Sequence, residues 1–431
     1  MKTPATSVRQ QVQLCIGKAG LSVGLLAYAK HGQRENTAVV YDETWLANPQ
    51  GFNVSADLQW VTGYQSHKAA SPLDSVFHGA IADTAPDAWG RRVIARDHAK
   101  RRRDEPRLPA LTELDYLLAV DDFSRIGALR LCDPDGHWHR TVQEGRRSTP
   151  PLIELERVFQ ASRAVELGQE TIEDLRYLKG KGTSLGGMRP KCTMVDEDGR
   201  LAIGKFPSVG DTRSVTRGEV LALKLALNAG IDAAPARIVR LEDVPVAVIR
   251  RFDRDNTDGR IPYQSAASLL QASRAQDHSY TEIADAIRSY GHSPTQDVQQ
   301  LWRRLVFNLL ITNVDDHLQN HGFLHVEKGL WRLAPAFDIN PFPDKDRESK
   351  TWLSEEDGPI TDVAMLLDRA VYFALSAEQA MGILAEVHSA VLNWRPIALS
   401  SDVGLREDEL DDFAPAFEHD QMTAAAILLG R

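Results

Sequence analysis

Residues 313–320 read Asn313-Val314-Asp315-Asp316-His317-Leu318-Gln319-Asn320, and residues 333–339 read Leu333-Ala334-Pro335-Ala336-Phe337-Asp338-Ile339. An aspartate, an asparagine five residues later and a further aspartate behind a short apolar strand, eighteen residues past Asn320, form the side-chain set that phosphoryl transfer to a hydroxyl needs. One carboxylate accepts the hydroxyl proton, while an amide oxygen and a second carboxylate hold the magnesium that bridges the phosphates. Taken singly, Asp315, Asp316 and Asp338 also read as ordinary caps of turns and helices. Spacing and order favour the chemical reading. His317, His321 and His325 recur in steps of four. They lack the glutamate of a zinc-protease helix, and Gly322 interrupts the helix they would need.

Upstream lies a nucleotide cradle. Gly180, Gly182, Gly186 and Gly187 allow backbone amides to approach phosphate where a Cβ would obstruct them. No glycine precedes Gly180 at the spacing of a Walker A loop. Lys205 closes the apolar strand Leu201-Ala202-Ile203-Gly204, where it either neutralises nucleotide phosphates or snorkels at a sheet edge. Glu219, on the following helix, either pairs with Lys205 or completes a capping box with Thr216. Residues alone leave these alternatives open. If the two halves of the chain are kinase lobes, Arg250-Arg251-Phe252-Asp253-Arg254 is the hinge whose backbone meets the adenine. The run Lys100-Arg101-Arg102-Arg103 closes a predicted helix, where cations complement the helix dipole.

The chain has 431 residues, 43% of them hydrophobic, with 50 basic against 60 acidic side chains for a net charge of -10. That length implies two or three domains at roughly 100–200 residues each, and the apolar fraction excludes a disordered or collagen-like chain. Three widely spaced cysteines, Cys15, Cys132 and Cys192, argue against a disulfide framework and against a CxxC zinc site, and fit a reducing compartment. No apolar segment follows Lys2, and no apolar run reaches the ~18 residues of a membrane span. A soluble, intracellular protein is expected. The acidic balance gives no electrostatic reason for autonomous nucleic-acid binding.

Alternating apolar patterns predict strands around Val12–Ile16, Leu25–Tyr28 and Ala38–Tyr41. Helical spacing follows over 76–102 and 111–120, and a strand over 126–131. The basic, Pro-Pro-containing segment 144–151 reads as a boundary. A helical stretch over 151–178 leads to the strands Cys192–Val195 and Leu201–Phe206, joined by a turn whose Asp198-Gly199 supplies positive φ angles. A helix near 217–229 closed by Gly230 and a hairpin Ala236–Leu241/Val244–Ile249 come next. Helical periodicity dominates thereafter, over 301–312 and 376–394.

In this order the motifs resemble those of the HipA family of serine/threonine kinases, toxin components of bacterial toxin–antitoxin pairs. The similarity spans nearly the whole chain: Tyr41–Leu46, Phe77–Ala95 and Ile126–Leu129, then Ser184-Leu185-Gly186-Gly187-Met188-Arg189-Pro190-Lys191 against an S-x-x-G-x-x-x-K loop. Gly204–Pro207, Gly218-Glu219, Arg251–Arg254, Asn313–Asn320 and Ala334–Asp338 follow. The resemblance implies an α+β fold with a protein-kinase-like two-lobe architecture. It has an extra N-terminal β-rich subdomain (8–147), a nucleotide-binding small lobe (148–254) and an all-α catalytic lobe (255–431). It implies ATP and Mg2+ as cofactors, Asp315 as catalytic base, Asn320 and Asp338 as magnesium ligands, and Lys205 on the nucleotide phosphates, with Gly186, Gly187, Arg251, Phe252 and Asp253 also lining the nucleotide. Ser184 matches the autophosphorylated serine, where a phosphate would compete with ATP for the same cationic cradle. Two positions depart from the family: Met188-Arg189-Pro190 replaces the usual Gln-Glu region, and Gln319 stands where the catalytic loop usually carries lysine.

Two functions are expected from these residues. The first is a bacterial cytoplasmic protein kinase acting on a serine of an aminoacyl-tRNA synthetase, partnered by a helix-turn-helix antitoxin of HipB type. The second is a weakly active, nucleotide-gated scaffold that holds such an antitoxin on DNA. The chain shows no helix-turn-helix of its own, so DNA would be met only through the partner.

Overall fold

A computed structural model describes residues 7–139, 154–179 and 187–431. Ser184, Gly186 and the 144–151 boundary segment lie outside the described residues. The chain divides into two compact units: Met1–Gly204 with Asp253–Ala275 and Glu327–Gly329, and Lys205–Phe252 with Gln276–Val326 and Leu330–Arg431. It passes into the second unit at Lys205 and returns to the first at Asp253, within the segment expected to be a hinge.

The first unit carries a five-stranded antiparallel sheet in the order Gln65–His67, Arg34–Tyr41, Leu21–His31, Ser7–Ile16, Leu129–Cys132. The period-2 alternation puts Val12, Leu14, Leu26, Tyr28 and Val39 on its buried face. The strands run longer than the apolar alternation predicts, because backbone pairing continues past the last buried side chain, as far as Ser7 opposite His31. Helix Ala88–Asp104 starts at Asp87, whose side chain accepts from the Gly90 amide, and Glu113–Ala119 starts at a Thr112/Asp115 capping box. The basic run 101–103 occupies the last turn of the former, where its charge opposes the exposed carbonyls. All three cysteines are free and buried. Cys15 and Cys132 lie on neighbouring strands with sulfurs 3.7 Å apart, and burial pushes the Cys15 thiol up to about 12.

In the second unit, helix Val215–Asn228 precedes the hairpin Ala236–Leu241/Val244–Arg250. Gly230, at φ +72°, takes the left-handed conformation that ends the helix. Gly218 permits a close approach: a Cβ there would lie 2.7 Å from the Phe413 ring. Helices Tyr280–Tyr290 and Pro294–Leu310 carry the core of this unit. They are followed by Val363–Arg369, Ala377–Leu392, Trp394–Leu399, Leu410–Phe417 and Asp420–Leu428. Leu301, Leu305, Val306, Leu309 and Leu310 are buried, as the 3.6-residue period requires. The chain beyond 255 is helical except for short strands at Tyr263–Ser265, Gly322–Glu327, Leu330–Leu333, Trp352–Ser354 and Gly358–Pro359. No helix is long and apolar enough to cross a membrane among the described residues.

Trp302 is fully buried on helix Pro294–Leu310 and its Nε1 donates to the Leu366 carbonyl at 3.0 Å. Trp302→Ala removes both the packing and the hydrogen bond. We expect chemical denaturation to report a loss of about 3–5 kcal/mol in the transition of this unit.

Candidate active site

The loop 311–317 leaves helix Pro294–Leu310 through Thr312, whose φ of +54° reverses the chain and whose hydroxyl donates to the Ala416 carbonyl at 3.1 Å. The Asn313 side chain then donates to Asn308 Oδ1 at 3.0 Å, and Asn308 Nδ2 donates to Asp316 Oδ2 at 2.8 Å. Tyr280 Oη donates to the same oxygen at 2.7 Å, and His321 Nε2 lies 2.9 Å from it. Burial raises the Asp316 pKa, but the His321 ring and the Tyr280 hydrogen bond outweigh it, so the carboxyl sits below its ordinary value. Asp316 is therefore a buried anchor that holds the loop.

Its neighbour behaves oppositely. Asp315 is 55% exposed on its side chain, and Lys350 Nζ lies 2.9 Å from its Oδ1. Asn320, on the single 3-10 turn Leu318–Asn320, donates Nδ2 to the Asp315 carbonyl at 3.0 Å. That bond fixes the amide orientation and leaves Oδ1 as the oxygen available to a cation. The adjacent aspartates thus separate by environment, one structural and one accessible.

Lys205 is the second focus. Its buried ammonium lies 2.6 Å from Glu219 Oε1 and 2.6 Å from Asp338 Oδ1. Burial disfavours its charge, but the Asp338 and Glu219 carboxylates prevail and hold its pKa well above the usual lysine value. The structure decides between the two readings of Glu219. The helix begins at Val215, and Ser214 at its N-cap makes no side-chain cap. Thr216 therefore lies inside the helix, its hydroxyl facing the Pro245 carbonyl at 3.5 Å, and Glu219 is an ion-pair partner.

Asp338 takes the left-handed conformation at φ +56°, a costly choice for a non-glycine residue that neighbouring bonds must enforce. Ala336 supplies them: its amide donates to the Asp232 carbonyl at 2.7 Å, and its carbonyl accepts from the Ala234 amide at 2.9 Å. On the other side, the Asn340 amide donates to Asn313 Oδ1 at 3.3 Å, tying the Asp338 segment to the Asp315 loop. Burial pushes the His317 imidazole below its ordinary value, with Asp315, Lys350, Asp316 and Asp338 all within its electrostatic reach. Asp315, Asn320, Asp338, Lys205 and Glu219 therefore belong to one unit and one cluster of linked segments.

The remaining sequence candidates are placed differently. Phe252 packs its ring 5.4 Å from that of Phe337, immediately before Asp338, and Arg251 is buried. Asp253 lies in the first unit, where its carboxylate accepts from the Gly127 amide at 2.7 Å and pairs with Arg254 at 2.8 Å. Gly187, at φ +90°, also lies in the first unit, near the buried Lys191–Asp87 pair at 3.2 Å. Ser184 and Gly186 are not among the described residues. His317, His321 and His325 do not converge: His321 serves Asp316, and His325 stacks against Trp331 at 5.4 Å.

Two features were not foreseen. The Asp316 network joins residues from three separate stretches, Tyr280, the segment from Asn308 to His321, and Thr351. Lys350 reaches Asp315 from 35 residues downstream because its amide donates to the Val314 carbonyl at 3.2 Å and the Thr351 hydroxyl donates to the Asp316 carbonyl at 2.7 Å. It places an ammonium beside Asp315 although Gln319 occupies the position of the expected loop lysine. No local signal marks it.

Comparison with known proteins agrees with this geometry. Residues 183–394 match the HipA-like C-terminal domain family. The chain is 26% identical over 343 residues to the provisionally named kinase Y4mE of Sinorhizobium fredii, covering 74% of this chain and 75% of that relative. It is 24% identical over 190 residues to a provisionally named kinase of Haemophilus influenzae, covering 38% of this chain and 55% of that one. Among solved structures it superposes on the HipA toxin of Shewanella oneidensis MR-1, solved with HipB and its operator DNA, with a TM-score of 0.65, 16% identity and 97% of each chain covered. The shared fold, the matched domain and the related sequences agree: residues 183–394 are a HipA-like C-terminal domain, and the chain as a whole is similar to HipA-like kinases.

Proposed function

We propose that this chain is an ATP-dependent protein serine/threonine kinase of toxin type, in which residues 148–254 serve the nucleotide and 255–431 the transfer. The observation that supports it most is the convergence of Glu219 and Asp338 on the Lys205 ammonium, both at 2.6 Å, in the unit that also holds the Asp315–Asn320 loop. A lysine kept charged by two carboxylates is suited to nucleotide phosphates. Asp338 and Asn320 Oδ1 form an all-oxygen donor set of the kind magnesium takes. When bound, MgATP supplies the transferable phosphoryl group and the charge that offsets its build-up.

The chain's own residues supply position and proton transfer. Asp315, exposed and oriented by the loop that Asp316 anchors, accepts the proton of the incoming serine hydroxyl. Lys350 next to it offsets charge on the transferred group. Glu219 holds Lys205 in place, and Asn320, whose amide donates to the Asp315 carbonyl, would hold magnesium through its side-chain oxygen.

By family resemblance, we assign Ser184 as the autophosphorylation site, an aminoacyl-tRNA synthetase as the substrate, and the bacterial cytoplasm as the location. The Shewanella protein was solved with HipB and operator DNA, which supports a HipB-type antitoxin as partner here, with DNA met only through it. The net charge of -10 suits a basic DNA-binding partner. A nucleotide-gated scaffold with little catalysis is the competing reading, and retention of antitoxin binding without any phosphate transfer by the wild type would favour it.

The adjacent aspartates give a paired test. Asp315→Asn leaves the melting curve within about 0.5 kcal/mol of wild type, as exposed substitutions do, and lowers phosphate transfer by about 10²–10⁴-fold, the usual range for a general base. Asp316→Ala strands the Tyr280 hydroxyl and the His321 ring and costs about 3–5 kcal/mol. Calorimetry and transfer of labelled phosphate from ATP read both. Lys205→Met abolishes transfer within the same assay, and Ser184→Ala removes the self-incorporated label while leaving transfer to a protein substrate. Equal labelling by wild type and Asp315→Asn contradicts the kinase assignment.

A further inference from the structure

The first unit holds a cluster that phosphoryl transfer does not use. Asp57, His67 and His78 each offer one ligand atom, and the three atoms lie within 4.8 Å of one another. They come from separate places: a turn, the edge strand Gln65–His67, and the residue preceding helix Gly79–Ala82.

The hydrogen bonds around His67 set a conflict that a cation resolves. Its Nε2 lies 3.1 Å from the Ser75 carbonyl oxygen, which only accepts, so Nε2 carries the proton. Its Nδ1 then turns a lone pair toward Asp57 Oδ2, 3.2 Å away. Two acceptors at that separation need a proton or a metal between them. The distance fits an edge of a tetrahedron whose centre lies about 2.0–2.1 Å from each ligand, near 3.3 Å.

His78 decides between proton and metal. It is only 2% exposed, and its Nδ1 is buried with no hydrogen-bond partner. An extra proton on His67 satisfies the Asp57–His67 contact but leaves His78 unsatisfied, at about 1–3 kcal/mol for such a group. A metal ion satisfies all three residues at once. The outer shell is also present: Ser55 Oγ donates to Asp57 Oδ1 at 2.5 Å, the Gly79 amide donates to the same oxygen at 3.2 Å, and the Ser75 carbonyl orients His67.

We propose that Asp57, His67 and His78 bind one divalent transition-metal ion of the zinc class, which fastens the edge strand of the N-terminal sheet to the start of helix Gly79–Ala82. Two imidazoles and a carboxylate form a borderline nitrogen/oxygen set, suited to zinc and cobalt over magnesium. The fourth position falls to water. A second acidic group, Asp133, Asp135 and His137, is exposed and serves as the internal control.

The test uses the full-length protein, stripped with chelator and titrated with Zn2+ or Co2+ in excess magnesium. We expect one Zn2+ per chain by calorimetry, tetrahedral ligand-field absorption with Co2+, and a zinc-dependent rise in melting temperature. His78→Ala weakens zinc binding by more than about tenfold, at least the loss that outer-shell changes alone produce. His78→Cys, which restores a zinc ligand, recovers binding, and Asp133→Ala leaves it unchanged. Wild-type protein that shows no Zn2+ uptake and no cobalt absorption overturns the proposal, whether or not the variants fold. Uptake that survives His78→Ala and is lost in Asp133→Ala also overturns it.

Discussion

The second unit depends on one buried ammonium. Lys205 ends a strand, Glu219 sits one turn inside the next helix and Asp338 lies 133 residues downstream of Lys205, yet all three meet within 2.6 Å contacts. Withdrawing a lysine from water costs several kcal/mol, and a single carboxylate in poor geometry would not repay it. Two at hydrogen-bond distance do. The consequence is spatial: strand end, helix and the left-handed turn at Asp338 cannot move independently without stranding a charge. The balance is also asymmetric, one cation against two anions, which leaves local negative charge that a divalent ion complements.

A second constraint works by saturation. Asp316 accepts from Tyr280 and Asn308 and contacts His321, while the Thr351 hydroxyl donates to its carbonyl. The residue before it therefore faces away from the core with its carboxylate in solvent. A loop of this kind separates rigidity from access: the buried aspartate fixes the backbone, and the exposed one presents its carboxylate at the surface beside Lys350. Placing both duties on one residue would set them against each other, since the bonds that anchor a carboxylate also lower its basicity.

Much of this was legible in the residues because it is written in local patterns. Period-2 and period-3.6 burial located the N-terminal strands and the helix 294–310, and the Asp315/Asn320/Asp338 spacing picked out three residues that share a unit. Where the reading stopped, the missing information was non-local. Thr216-x-x-Glu219 spells a capping box and an ion-pair site equally well, and only the helix start at Val215 separates them. Asp315 and Asp316 are identical in type and adjacent; spacing to Asn320 favours Asp315, but only their partners at 280, 308, 321 and 350 show which is buried and which exposed. Asp253 looked like part of a hinge from its basic neighbours, but its carboxylate is engaged by Gly127 and Arg254, leaving the backbone for any nucleotide contact there.

Lys350 gives the 313–320 loop a neighbouring positive charge from outside the loop's own sequence. A lysine at position 319 would place its charge by local geometry alone. Here Gln319 cannot, and the ammonium is delivered instead by a segment docked through the Val314 and Asp316 carbonyls. That docking uses the backbone of the Asn313–Asn320 loop itself, so any change that displaces Asp316 also displaces Lys350. The two are coupled, whereas a loop lysine would move only with its own backbone.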